Sequence, residues 1–93
     1  MSEIEDIEAL ANAMQSAIEA LTRYRDHGIE PGSGTRAILE NDLFEALRRS
    51  DPYRQRILGD IGRWIYSNMP LGSYGSRERV DEWIAARRRE QQQ

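Results

Sequence analysis

An all-α fold, a small bundle of four helices, is predicted for this 93-residue chain by two kinds of observation. Apolar residues recur at spacings of three and four, the period that puts them on one face of a helix. Capping and stop signals divide these periodic stretches: Ser2-Glu3-Ile4-Glu5, Gly28, Ser50-Asp51-Pro52 and Pro70. Each signal serves or ends the unpaired backbone groups that every helix terminus carries. The organisation expected is a long amphipathic helix over 1–27 that pairs between subunits, a helical core over 28–89 and a polar tail over 90–93.

The first helix is expected to begin at Ser2, whose hydroxyl and Glu5 form a capping box. Glu3, Glu5, Asp6 and Glu8 suit its positive end, and Arg23, Arg25 and His27 its negative end before Gly28. Ile4, Ile7, Ala11, Met14, Ile18 and Leu21 form the seam of a coiled coil. About twenty-five residues span roughly 37 Å at 1.5 Å per residue, more than a small domain covers by itself. A homodimer or a higher even oligomer through this seam is therefore expected.

The second helix is expected from Ser33 or Thr35 to about Arg49, burying Leu39, Leu43, Ala46 and Leu47, with Asn41 and Asp42 on its edge. The third starts at the Ser50-Asp51-Pro52 cap and runs to about Asn68. Gly59 and Gly62 inside it each cost close to 1 kcal/mol relative to alanine, which predicts a close crossing by another helix or by a ligand. The fourth follows Ser76. Trp64, on the third helix, and Trp83, on the fourth, are expected to be core residues.

Composition narrows the function. There are no cysteines, so disulfides, thiolate metal sites and a cysteine nucleophile are excluded. No apolar run approaches the length of a membrane span, and the acidic N-terminus lacks the features of a signal peptide, so a soluble cytoplasmic protein is expected. Residues 1–30 hold seven acids against two arginines, a net of −5, while residues 31–93 hold nine acids against eleven arginines, a net of +2. All thirteen basic residues are arginine, the planar bidentate donor suited to phosphate and carboxylate.

Two Gly/Ser-rich turns lie in the basic part and run straight into helices carrying arginine: Gly32-Ser33-Gly34-Thr35-Arg36 and Gly72-Ser73-Tyr74-Gly75-Ser76-Arg77-Glu78-Arg79. Glycines that admit a ligand to the backbone, hydroxyls, guanidinium groups and a helix N-terminus together suit an anion. The candidate ligand-binding residues are Ser33, Thr35, Arg36, Tyr74, Gly75, Ser76, Arg77 and Arg79, with Arg77 holding phosphate and Tyr74 covering an apolar or aromatic part.

The run Gly28-Ile29-Glu30-Pro31-Gly32, then Ala37-Ile38-Leu39-Glu40-Asn41-Asp42-Leu43, then Ile65-Tyr66-Ser67-Asn68, Pro70, Gly75-Ser76, Val80 and Trp83 resembles a family of small uncharacterised bacteriophage accessory proteins. The likeness covers residues 24–84. It departs from the family pattern at Glu30, Gly34 and Tyr74, all in or beside the two turns. The resemblance implies a phage or prophage protein working in an infected bacterial host, with a counter-defence role, and supplies no catalytic residue.

Nothing in the sequence indicates an enzyme, a metal site or a cofactor. His27 is the sole histidine, and Gly28 to Thr35 lacks the spacing and the lysine of a P-loop. Three function classes follow. The first is a module that sequesters a small phosphorylated or nucleotide-like immune-signalling ligand. The second is a stoichiometric inhibitor or adaptor of a host protein. The third is a DNA-binding regulator, against which stand the net charge of −3 and the absence of lysine.

Overall fold

The computed structural model describes residues 3–92. All regular structure among them is helical, as expected, but the helices number six and not four: α1 Glu3–His27, α2 Ser33–Leu39, α3 Leu43–Arg49, α4 Pro52–Arg56, α5 Leu58–Asn68 and α6 Arg77–Gln91. The proposed capping role of Ser2 lies outside the described residues.

The first extra break falls at Asn41-Asp42. Asn41 adopts a left-handed backbone, φ 64°. Its N–H donates to the Ile38 carbonyl at 3.1 Å, and the Asp42 N–H donates to the Ala37 carbonyl at 2.9 Å. That pair of bonds is the Schellman closure of a helix, with asparagine in the position glycine usually takes. Asp42 then starts the next helix, its carboxylate accepting from the Glu45 N–H at 3.1 Å. The break turns α3 relative to α2 and undoes the expected stripe. Leu39 and Ala46 are buried, whereas Leu43 is 62% exposed and Leu47 37%.

The second break, at Ile57, has no proline behind it. The Ile57 N–H donates to the Arg54 carbonyl three residues back, a tightened last turn. Side-chain bonds fix the first piece, α4. Arg54 reaches Thr35 and Ser16, and the Gln55 amide donates to the Leu47 and Ser50 carbonyls. Ile57, Ile61 and Ile65, four apart, turn α5 into the core.

That core joins Ala17, Leu21 and Tyr24 of α1 to Leu39, the three isoleucines, Met69, Val80 and Ile84. Helix α1 packs against α4, α5 and α6, and α2 against α3, α5 and α6. Gly28 ends α1 with φ 68°, and a Cβ there would lie 2.7 Å from the Arg87 Cβ, so only glycine lets α6 pass this closely. Helix α6 then caps α1. The Trp83 indole N–H is shared between the Tyr24 and Arg25 carbonyls, and the Gln91 amide donates to the His27 carbonyl at 2.9 Å.

Three further expectations change. Trp64 and Trp83 are half-buried against the core and not inside it, and the Arg87 guanidinium covers the Trp83 ring at 4.3 Å. A Cβ at Gly59 or Gly62 would meet nothing within 4 Å, so no neighbouring helix crosses there. The seam on α1 does not lie in one environment. Leu21 is fully buried and Met14 and Ile18 half-buried, while Ala11 is exposed and Ile4 and Ile7 are 68% and 64% exposed. The long helix thus has its fully buried residues only in its second half, with Leu10, Ala13 and Met14 packed against the core before them, and the molecule measures 50 × 25 × 21 Å.

Candidate functional site

The two Gly/Ser turns meet across α2 and the start of α6. Gly32 caps α2 without a side-chain bond. Ser33, the first helical residue, is exposed. Thr35 is turned inward and buried, its hydroxyl oxygen accepting from Arg54 Nη1 at 2.9 Å. Arg36 is held by three carboxylates: Glu30 at 2.8 Å, Glu40 at 3.5 Å and Asp81. Burial opposes the Arg36 charge, but Asp81, Glu40 and Glu30 outweigh it and push its pKa above the ordinary value.

The second turn is anchored at its start and open at its end. Ser73 is fully buried, with its hydroxyl donating to the Pro70 carbonyl at 2.6 Å. Its own carbonyl accepts from the Tyr24 hydroxyl at 2.6 Å, and burial drives the Tyr24 pKa upward. Gly75, at φ 117°, donates its N–H to the Leu39 carbonyl at 2.7 Å. Ser76 caps α6, its hydroxyl accepting from the Arg79 N–H at 3.2 Å. Arg79 folds back over Gly75 and donates to the Tyr74 carbonyl at 3.3 Å. Arg77 is exposed, and no partner holds it among the described residues.

A cleft of about 470 Å³ collects Ser33 and Arg36 from the first turn and Arg77 from the second, with Ala37, Glu40, Asp42, Glu45 and Arg49 completing its walls. Its three arginines face three carboxylates. Glu45 binds Arg48 at 3.0 Å and Arg49 at 2.7 Å, and these hydrogen bonds hold its pKa down to about 2. Tyr74 and Gly75 do not line that cleft. With Ile38, Leu39, Asn41, Gly62, Ile65 and Tyr66 they line a separate groove of about 400 Å³. Of the eight sequence-predicted ligand residues, then, three share the cleft, two share the groove, Thr35 and Ser76 serve the fold, and Arg79 packs on its own turn.

Sequence reasoning missed Asp42 at the cap of α3 and Glu45 and Arg49 on α3, all in the cleft, and Asn41 at the close of α2 and Tyr66 on α5, both in the groove. One signal was present. Asp42-Leu43-Phe44-Glu45 has the spacing of a capping box, a pattern that marks a helix start at this point.

Among the described residues no group of three His, Cys, Asp or Glu side chains is placed to hold a metal, and no helix is long and apolar enough to cross a membrane. No protein-family model, curated protein or solved structure matches the chain.

Proposed function

We propose that the chain is a phage-type accessory protein that sequesters a small phosphorylated or nucleotide-like ligand, in a counter-defence role that works by stoichiometric binding without chemistry. The observation that carries this reading is the junction of both Gly/Ser turns at one cleft. Its volume of about 470 Å³ lies within the range of about 300 to 1,000 Å³ usual for small-molecule sites. Arg36 is held in place by its carboxylates and presents a fixed edge. Arg77 contributes the cation without a countercharge, and the Ser33 hydroxyl a hydrogen bond. A second copy of the chain completes the assembly in this reading, covering the exposed Ile4, Ile7 and Ala11 stripe of α1.

Titration calorimetry with cyclic and linear nucleotides tests the assignment. Arg77→Ala is expected to bind roughly ten- to a hundredfold more weakly than wild type and to melt at the same temperature. A wild type that binds no nucleotide, or an Arg77→Ala variant that binds as tightly, removes the cleft from consideration.

A second reading, an inhibitor or adaptor of a host protein, is favoured by one feature of α3. Phe44 is 83% exposed beside Leu43 and Leu47, an apolar stripe of the kind that protein interfaces use. Recovery of a single host protein that is lost with Phe44→Ser, and not with Arg77→Ala, would decide for this reading.

A further inference from the structure

We propose that the groove between α2 and α5 is a second, separate binding site, for an uncharged planar aromatic group of the purine-nucleoside kind. It is independent of the arginine cleft. Three observations converge on it. The first is Gly62, a glycine inside a helix that no packing explains. A Cβ on it would meet nothing within 4 Å, and Gly62 lines the groove. The missing side chain leaves bare helix backbone as part of the groove wall.

The second is the pair of tyrosines on the walls. Tyr66, one helical turn beyond Gly62 and therefore on the same face of α5, is 78% exposed. Tyr74 stands on the Gly/Ser turn and rests against the core. Aromatic rings presented in this way suit stacking on a flat heterocycle, a contact that does not depend on which base is offered.

The third is the polar content of the groove. Aspartate, glutamate and arginine are absent from its lining, so no charged side chain there pairs with a phosphate and the groove suits an uncharged group. Asn41 supplies a carboxamide that has no partner among the described residues. Donor and acceptor lie side by side on that group, matching the paired acceptor and donor along the edge of an adenine. The left-handed backbone at Asn41 belongs to the helix closure, so the side chain is left over for a ligand.

An NMR titration of the whole chain with adenosine, which carries no phosphate, reads the site directly. Saturable shifts are expected at the Gly62 and Gly75 amides, the Asn41 carboxamide and the rings of Tyr66 and Tyr74. Gly62→Leu fills the groove, and because the position is open and leucine favours helix the variant should keep its fold and lose binding at least tenfold. Tyr66→Ala should weaken binding roughly five- to a hundredfold, the effect of removing one base–aromatic stack. Asn41→Gly, which retains the left-handed backbone, should weaken it several-fold, and Arg77→Ala should leave it unchanged. The proposal is overturned if wild type shows no saturable shift up to the solubility of adenosine, if Gly62→Leu binds as well as wild type, or if the shifts gather at Ser33, Arg36 and Arg77.

Discussion

The two Gly/Ser turns share a composition and differ in what the fold does with it. In the first, the hydroxyl of Thr35 and the guanidinium of Arg36 are both committed to partners from elsewhere in the chain, Arg54 and three carboxylates. In the second, Ser73 and Gly75 are tied to Tyr24 and Leu39, while Arg77 projects free. A helix entrance rich in glycine, serine and arginine therefore does not define a site by its content. What matters is whether acids and carbonyls from other elements reach it first.

Tyr24 is the buried post on which the second turn hangs, and its loss is expected to cost the most stability. Tyr24→Ala removes a fully buried aromatic ring and is expected to cost about 3 to 5 kcal/mol. Tyr24→Phe keeps the ring and strands the Ser73 carbonyl, for a cost of about 1 to 3 kcal/mol. Urea denaturation measures both. If the two substitutions cost the same, the hydroxyl and not the ring is what holds the turn.

The next effect separates the two arginines. Arg36→Ala leaves Glu30, Glu40 and Asp81 without their shared cation. Because the Arg36 side chain is 16% exposed and two of those acids are more than half exposed, about 1 to 2 kcal/mol is expected. Arg77→Ala should lie within about 0.5 kcal/mol of wild type. Equal thermal shifts for the two variants would erase the distinction between a clamped arginine and a free one.

The all-α class, the end of α1 at Gly28, the Asp51-Pro52 start and the Ser76 cap were legible because each is a local rule written in adjacent residues. The helix count was not. Reading Asn41 and Asp42 as the polar edge of one helix missed that asparagine closes a helix and aspartate opens the next, and the error carried Leu43 and Leu47 into a core they do not join. The pairing of Arg36 with Asp81 was hidden for another reason. Forty-five positions separate them, and no periodicity announces which acid a tertiary fold will bring to an arginine.

A smaller effect is expected where the second turn's backbone is left-handed. At Gly75, φ is 117°, and an added Cβ would stand 3.0 Å from Arg79 Nη1, the movable end of a flexible side chain. The steric term is therefore easily relieved, and the backbone strain of Gly75→Ala should cost about 1 kcal/mol or somewhat more. The same exchange at Gly32, with φ at −58° and open space around it, should cost much less. Thermal denaturation of the two variants tests whether the second turn alone depends on glycine.

The smallest effect belongs to the cleft where the turns meet. Glu45 accepts hydrogen bonds from Arg48 and Arg49, which hold its pKa at about 2 against an ordinary 4.5. A carboxylate depressed in the folded state adds stability that is fully present above its unfolded value and is lost as the pH falls toward the folded value. The window is thus pH 4.5 down to about 2. Glu45 is partly exposed, so solvent screens the pairs and the contribution is minor. Glu45→Gln should lower the urea midpoint slightly at pH 7, and the difference from wild type should shrink through that window and vanish near its lower end. A difference that does not change with pH would mean that the arginine pairs contribute nothing to folding. Arg49 would then stand beside Arg77 as a second cation available to an anion in the cleft.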